Sequence, residues 1–259
     1  MPTPTPTPNG ILLVDKQPGM TSHDVVSRTR KLAGTRKVGH AGTLDPMATG
    51  LLILGLGVST RLLTFIVGLT KEYLATIRLG ASTTTDDKEG HYLGFAPASQ
   101  VARVTEGDIA AGIRDLTGEI EQVPSSVSAI KVAGRRAYDM VRAGEQVELK
   151  ARRVTVAAFD VLGTEHGIDE DGNTYIDLQV RVECSSGTYI RALARDLGFK
   201  LGVGGHLTEL RRTRIGEFHV TDAVNLEHLD GAPDLLTPAD VARAIFPIIN
   251  LTEQQAIDL

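Results

Sequence analysis

Two stretches of this sequence alternate apolar and polar side chains so regularly that each predicts a β-strand with one buried face. Residues 73–79 carry Tyr, Ala, Ile and Leu at every second position, and residues 176–184 carry Ile, Leu, Val, Val and Cys in the same way. A helical stripe of apolar residues follows at residues 190–201. Because strands and helices are mixed without a regular strand–helix–strand repeat, an α+β fold is favoured over a doubly wound sheet.

Weaker patterns predict the remaining elements. Short apolar runs predict strands at 11–14 and 51–56. Helices are predicted from the N-cap Ser22 to Leu32, on a face formed by Leu62, Leu63, Ile66 and Val67, and from Thr105 along Ile109, Ile113, Leu116 and Ile120. Loops are predicted at 35–50, 82–100 and 123–145, the last with a short helix. Residues 1–9 are expected to be a disordered tail, since Pro and Thr alternate in it.

Length and composition fit a globular enzyme. A chain of 259 residues with 42% hydrophobic and 23% charged residues predicts one large domain with at most a small appendage. The single cysteine, Cys184, excludes an internal disulfide, and its place on an apolar strand face predicts a buried structural thiol. No apolar run is long enough for a membrane span and the start lacks a signal peptide, so a cytoplasmic location away from membranes is expected.

Charge is distributed unevenly along the chain. The net charge is −5, but residues 215–259 hold eight acidic residues and one basic residue, so the preceding 214 residues sum to +2. Within those, residues 11–65, 131–153 and 181–214 each carry seven Lys or Arg against three Asp or Glu. Solvated surface would explain each stretch by itself, whereas the three together favour a polyanionic partner, because local basic patches act over about 10 Å.

Glycine-rich and histidine patterns give no cofactor or metal signature. GLGVST at 55–60 and GVGGH at 202–206 complete neither a phosphate-binding loop nor a dinucleotide fingerprint. The seven histidines are scattered without metal-ligand spacing. We therefore expect neither a cofactor nor a metal.

The segment Gly39-His40-Ala41-Gly42-Thr43-Leu44-Asp45-Pro46 carries the strongest chemical signal. On spacing alone, Asp45 before a proline fits an Asx turn or a helix cap. The functional interpretation is a carboxylate held on a rigid loop facing a cleft, where it can serve as a nucleophile.

Several motifs resemble those of the TruB family of tRNA pseudouridine synthases. They are VDKQPGMTSHDVV at 14–26, RKVGHAGTLDPMATGLL at 36–52, KEYLATIRLG at 71–80, VPSSVSAIKVAGRRAYDMVRAGE at 123–145, SSGTYIRALARDLG at 185–198 and GGHLTELRRTRIG at 204–216. The resemblance implies a catalytic domain at 10–220, with a mixed, mostly antiparallel sheet, flanking helices and a central cleft. Residues 221–259 are too short for the small C-terminal RNA-binding domain of many members, so that domain is expected to be absent or truncated.

The resemblance implies that a uridine in the T-arm loop of tRNA, uridine-55, is isomerised to pseudouridine after being flipped out of its stack. It assigns Asp45 as the nucleophile, Tyr73 as the tyrosine stacked on the uracil, and Arg191 as the arginine that pairs with the aspartate. The other substrate-binding residues implied by the motifs are His40, which helps to extrude the base, Lys16, Leu210 of the uracil pocket, Tyr189 and Gly42.

The chemistry fits these residue types. The reaction exchanges an N1–C1′ bond for a C5–C1′ bond without water or redox change, so it needs one carboxylate rather than the two of a glycosidase. An arginine beside Asp45 would keep it ionised, and an aromatic platform offsets the cost of unstacking the base. Whether C1′ or the ring is attacked first stays open.

The basic stretches are expected to contact RNA phosphates and to make binding salt-dependent. The residues concerned are Lys131, Arg135, Arg136, Arg142, Arg211 and Arg212. The partner is thus tRNA and the protein is expected to be a monomer. Pro124-Ser125-Ser126-Val127 departs from the family, whose members often have two prolines and an aromatic there.

Two other functions are compatible with parts of the sequence. A T-arm uridine methyltransferase would require a reactive cysteine and a methyl-donor site, for which Cys184 is poorly placed. A non-catalytic tRNA-binding or folding chaperone would use the basic stretches equally well, but it leaves the Asp45 segment and Tyr73 without a purpose.

Overall fold

The computed structural model describes residues 8–125, 131–132, 135–136, 149–228 and 234–257. The strands are β1 (Gly10–Lys16), β2 (Val38–Ala41), β3 (Thr49–Leu56), β4 (Lys71–Leu79), β5 (Ala81–Thr83), β6 (Tyr92–Phe95), β7 (Gly118–Gln122), β8 (Lys131–Val132), β9 (Arg135–Arg136), β10 (Arg152–Ile168), β11 (Thr174–Cys184), β12 (Gly205–Ile215) and β13 (Phe218–His219). The α-helices are α1 (Ser22–Leu32), α2 (Leu63–Ile66), α3 (Ala98–Val101), α4 (Glu106–Asp115), α5 (Ile190–Lys200), α6 (Pro238–Ile245) and α7 (Glu253–Ile257).

The chain divides into two compact units. The first comprises Met1–Pro46, Gly50–Gly68 and Ile215–Leu259, and the second comprises Met47–Thr49 and Leu69–Arg214. Both combine strands with helices, and the predicted α+β class is confirmed. Among the described residues, no helix has the length and apolar character needed to cross a membrane.

The first unit is built on a buried antiparallel strand pair. β1 pairs with β3 from Gly10 opposite Leu56 to Lys16 opposite Gly50, and β2 pairs with the other edge of β3. β3 is buried along almost its whole length, which explains why its sequence is a continuous apolar run rather than an alternation. β1 also exchanges backbone hydrogen bonds with Leu236 just before α6.

The second unit contains a sheet in the order β12–β4–β11–β10–β7. β10 and β11 form a long antiparallel hairpin, and β11 pairs antiparallel with β4, placing Tyr73 opposite Val182 and Lys71 opposite Cys184. The alternation predicted for β4 and β11 is confirmed, because every second side chain is buried. Helix α5 contacts both β4 and α4.

The local predictions fail in four places. The N-cap of α1 is Thr21 rather than Ser22, because Thr21 and Asp24 form a reciprocal capping box. The predicted loop at 35–50 contains β2 and the start of β3, and the predicted loop at 82–100 contains most of β5, β6 and α3. Ile120 lies in β7 rather than on the helical face predicted after Thr105, since α4 ends at Asp115. Residues 1–7, most of the loop predicted at 123–145, and Arg142 lie outside the described residues.

Gly198 of α5 lies directly against the backbone that leads into β12. A Cβ at this position would overlap backbone atoms of Gly204 and Gly205. We expect Gly198→Ala to lower the free energy of unfolding by about 3 kcal/mol, because backbone cannot move aside as a flexible side chain can. Urea denaturation would measure the loss. Gly107→Ala in α4 is the matched control, since its Cβ meets only the Thr105 hydroxyl at 3.6 Å, and it should leave stability unchanged or slightly improved.

Candidate active site

The Asp45 loop follows β2 in the first unit, and its backbone is fixed before Asp45 by Ser22. Gly42 opens the loop with a φ of +85°, a conformation that favours glycine. The Leu44 N–H donates to Ser22 Oγ at 2.9 Å, and that hydroxyl donates to the Leu44 carbonyl at 3.2 Å. Both groups are buried. The residue preceding Asp45 is thus tied to the first turn of α1.

Lys16 and Gly19 fix the same loop after Asp45. The Pro46 carbonyl accepts from the Gly19 N–H at 2.9 Å and from Lys16 Nζ at 3.2 Å. Lys16 is only 1% exposed, and its ammonium also donates to the carbonyls of Gln17 and Met20. The Asp45 side chain itself is half-buried. The motif at 14–26 therefore serves as the scaffold on which the motif at 36–52 holds its aspartate.

His40 lies in the middle of β2, opposite Leu54 of β3. Its ring is half-buried and meets the ring of His23 edge-on, with 5.7 Å between centroids. His23 is exposed on α1. The structure therefore places His40 on the strand that leads into the Asp45 loop.

Tyr73 and Leu210 both lie on the sheet of the second unit. Tyr73 is on the buried face of β4, and Leu210 is buried in the neighbouring strand β12. Two hydrogen bonds flank Leu210: Thr208 Oγ1 donates to the Thr76 carbonyl at 3.3 Å, and Thr213 Oγ1 donates to the Glu72 carbonyl at 3.2 Å. These bonds place Leu210 beside the part of β4 that carries Tyr73.

Arg191 is buried, although it lies off the apolar stripe of its helix. It is the second residue of α5 and is 4% exposed. Its Nη1 donates to the Thr85 carbonyl at 2.8 Å and forms an ion pair with Asp87 Oδ2 at 3.3 Å. The guanidinium is therefore held by a bend of the chain between β5 and β6, about 100 residues earlier.

Asp87 is a residue that the sequence analysis missed. It is 3% exposed, and its Oδ1 accepts from the Thr85 hydroxyl at 2.5 Å and from the Glu89 N–H at 3.0 Å. A buried carboxylate with this many partners is oriented as well as charged. The available signal was the string TTTDD at 83–87, in which two adjacent acids follow a run of threonines.

Asp86, next to it, binds a second arginine of α5. Its Oδ2 accepts from the Ser125 hydroxyl at 2.6 Å and pairs with Arg195 Nη1 at 3.2 Å. Burial raises the pKa of Asp86, and the Ser125 hydrogen bond and the Arg195 charge act against that rise. Arg195 is thus engaged within the protein.

Tyr189 caps α5 and is held through its backbone. Its N–H donates to Gln122 Oε1 at 2.8 Å, and its carbonyl accepts from Gln122 Nε2 at 3.1 Å. Gln122 is buried at the end of β7. This reciprocal pair fixes the turn that leads into the helix carrying Arg191.

Lys71, Arg212 and Cys184 are buried polar groups in the same sheet as Tyr73. Burial, reinforced by the charge of Arg212, lowers the pKa of Lys71 to about 8. Burial likewise raises the pKa of the Cys184 thiol to about 11, so the thiolate is scarce at neutral pH. These values agree with the predicted role of Cys184 as a structural thiol.

We expect Cys184→Ala to retain the activity of the unmodified protein within about twofold, because a buried protonated thiol is a poor nucleophile. In the native protein the thiol should also react with iodoacetamide only after unfolding. Mass spectrometry of the alkylated protein in buffer and in urea would measure this. Rapid labelling in buffer, or loss of activity in the variant, would contradict the assignment.

Two family models match the chain. One, described as TruB family pseudouridylate synthase (N terminal domain), covers residues 30–190, and the other, described as tRNA pseudouridylate synthase B C-terminal domain, covers residues 191–247. The chain belongs to the TruB family of pseudouridylate synthases. The resemblance read from the motifs is confirmed, and the protein is an enzyme of the isomerase class. The second match crosses residue 220, where the sequence analysis placed the end of the catalytic domain.

Relatives of known name agree with this family. A protein of Leifsonia xyli subsp. xyli (strain CTCB07) named tRNA pseudouridine synthase B is 62% identical over 251 residues, which are 97% of this chain and 82% of the relative. A protein of the same name from Arthrobacter sp. (strain FB24) is 57% identical over 252 residues, with 97% and 80% coverage.

Solved structures agree at the level of the fold. A structure of an H/ACA RNP bound to a substrate RNA containing 2'-deoxyuridine is 30% identical with a TM-score of 0.59. A chain in the crystal structure of a Cbf5-Nop10-Gar1 complex has 32% sequence identity to this chain and a TM-score of 0.62. Each match covers 85% of this TruB-family chain, which spans about half the length of the solved chains, 52% and 53%.

The residues expected to contact RNA in this TruB-family enzyme are placed differently from one another. Arg211 is half-buried and its Nη1 donates to Thr49 Oγ1 at 3.5 Å, whereas Arg212 is buried. Lys131, Arg135 and Arg136 form the short antiparallel ladder of β8 and β9, and their side chains lie outside the described part of the chain. No group of three or more His, Cys, Asp or Glu suited to a metal ion occurs among the described residues.

Proposed function

We propose that this enzyme converts uridine-55 in the T-arm loop of tRNA to pseudouridine, with Asp45 as the nucleophile. The family membership and the relatives named tRNA pseudouridine synthase B support the reaction and the tRNA substrate. The observation that carries the choice of Asp45 is the fixation of its loop on both sides, by Ser22 at Leu44 and by Lys16 and Gly19 at Pro46. A nucleophile held in this way loses little entropy on the path to the transition state.

In this reaction the N1–C1′ bond breaks, the uracil turns, and a C5–C1′ bond forms while C5 gives up its proton and N1 gains one. The Asp45 carboxylate adds to C1′ or to the ring and leaves again when the new bond forms, so no group is consumed. Tyr73 stacks on the extruded uracil and assists removal of the C5 proton, and Leu210 supplies an apolar wall. The cost of flipping, a few kcal/mol, is offset by this stacking.

The remaining residues support these steps. Arg191 favours the ionised form of Asp45, as a neighbouring cation does for a carboxylate. His40 helps to extrude the base, and Tyr189 and Gly42 shape the pocket. Lys16 acts through the Pro46 carbonyl, which it contacts at 3.2 Å. We propose residues 10–220 as the catalytic domain of a monomeric, cytoplasmic enzyme.

The test is to incubate the purified protein alone with a tRNA transcript and to map pseudouridine by chemical derivatisation and primer extension. One new stop, one nucleotide 3′ of position 55, is the expected result. A transcript carrying cytidine at position 55 is the matched control and should stay unmodified. Pseudouridine at another position, or none, would contradict the proposal.

A further inference from the structure

The bend Thr85–Asp87 supplies both of the acceptors described for Arg191, the Thr85 carbonyl at 2.8 Å and Asp87 Oδ2 at 3.3 Å. Asp86 lies between them with a φ of +60°, and it is the one non-glycine residue with positive φ in the described part of the chain. Such a conformation is unfavourable for most side chains and persists only where the surroundings impose it. The groups that hold Asp86 therefore set the shape of the bend.

Asp86 is held by partners of both its side chain and its backbone. The carboxylate accepts from Ser125 Oγ at 2.6 Å and pairs with Arg195 Nη1 at 3.2 Å, and only 13% of the Asp86 side chain is exposed. The Asp86 carbonyl accepts from the Leu207 N–H at 3.0 Å. Arg195 is itself anchored, since its Nη2 donates to the Val123 carbonyl at 2.7 Å.

Arg191 and Arg195 are four residues apart on α5, so they lie on one face of the helix, one turn apart. The same three-residue bend binds both of them, through Asp87 and Asp86 respectively. The helix itself is held by its buried apolar side chains, so two contacts a turn apart fix the bend against α5 at two points rather than one. For a partly buried pair such as Asp86–Arg195, the cost of desolvation offsets much of the attraction between the charges, so its main effect is on orientation.

We infer that Asp86 is a positioning residue for the isomerisation: held by Ser125 and Arg195, it keeps the bend in the shape that aims the Arg191 guanidinium. This inference rests on the proposed function, because it takes the role of Arg191 from there. Asp86 touches neither substrate nor reacting atoms in this scheme.

The test compares two replacements of Asp86 in single-turnover assays at saturating tRNA. Asp86→Gly removes the carboxylate and tolerates positive φ, and we expect its rate to fall about 30-fold while tRNA affinity stays within about twofold, since small misplacements cost rate rather than binding. Asp86→Asn keeps an acceptor oxygen and also tolerates positive φ, so its rate should fall less than about fivefold. Arg195→Gln breaks the same pair from the helix side and should reproduce the loss of rate.

A double-mutant cycle separates positioning from general damage. In an Arg191→Lys background, Asp86→Gly should have less than a twofold further effect, because the group it aims is gone. Lys200→Gln is the control on the same helix, since it breaks a surface pair with Asp115 at 2.9 Å, and it should leave the rate unchanged. Wild-type rates in both Asp86→Gly and Arg195→Gln, or full additivity with Arg191→Lys, would overturn the inference. A wild-type rate in Arg191→Lys itself would instead refute the role proposed for Arg191.

Discussion

Replacing Asp45 with asparagine is expected to abolish pseudouridine formation and to leave tRNA binding intact. The amide has nearly the same shape, so the loop held by Ser22, Lys16 and Gly19 should be preserved. The amide lacks the negative charge of the carboxylate, so no nucleophilic oxygen is available for the covalent step. We expect a loss of at least about 10⁴-fold, the scale seen when a group essential to the chemistry is removed. Tritium release from C5-labelled uridine would measure it, with filter binding for affinity.

Asp24→Asn is the matched control for this experiment. Asp24 lies in the same compact unit, but its carboxylate accepts from the Thr21 N–H and hydroxyl to cap α1. That variant should keep its activity and lose a small amount of stability, because the capping box is weakened. Normal turnover in Asp45→Asn would remove Asp45 as the nucleophile. Loss of both binding and turnover would point to a role in RNA recognition. Turnover in the unmodified protein that is lost in Asp45→Asn, with binding retained, would exclude the non-catalytic chaperone.

The elements that the sequence predicted correctly have either a period that reflects one buried face or, as in β1 and β3, a short continuous apolar run. β4, β11 and α5 each show such a period, and the structure buries the apolar side in every case. β5 and β6 were missed because they are very short, and all of β6 is exposed, so no alternation distinguishes it from a loop. A strand without a buried face leaves little trace in a single sequence.

The parts of the site that were mispredicted depend on partners far away in the chain. Thr21 and Ser22 are both competent N-caps, and Ser22 is used instead to hold Leu44, 22 residues later. Arg191 lies off the apolar stripe of α5 and is buried only because Asp87 and the Thr85 carbonyl receive it. Capping and periodicity depend on neighbouring residues in the sequence, so they do not predict such long-range contacts. The resemblance to the family motifs identified Arg191 as a site residue. Asp87 lies in no periodic pattern and in none of the matched motifs, so it was not identified.

Asp87→Asn is expected to have the second largest effect, on stability as well as on rate. The replacement leaves the Arg191 guanidinium, 4% exposed, beside a neutral amide. Breaking a buried pair from one side costs about 3–5 kcal/mol, because the remaining buried charge loses the carboxylate that offsets its desolvation. We also expect the single-turnover rate to fall about 10²-fold or more, since the guanidinium loses the carboxylate that orients it.

A double replacement distinguishes the two effects of Asp87. Asp87→Asn combined with Arg191→Gln removes both charges, so the desolvation penalty disappears and most of the lost stability should return. The rate should stay low, because no cation is left to act on Asp45. Urea denaturation and single-turnover assays on the three variants provide both readouts. If the double variant recovered its rate together with its stability, the buried pair would be a purely structural feature and Arg191 would have no part in the reaction.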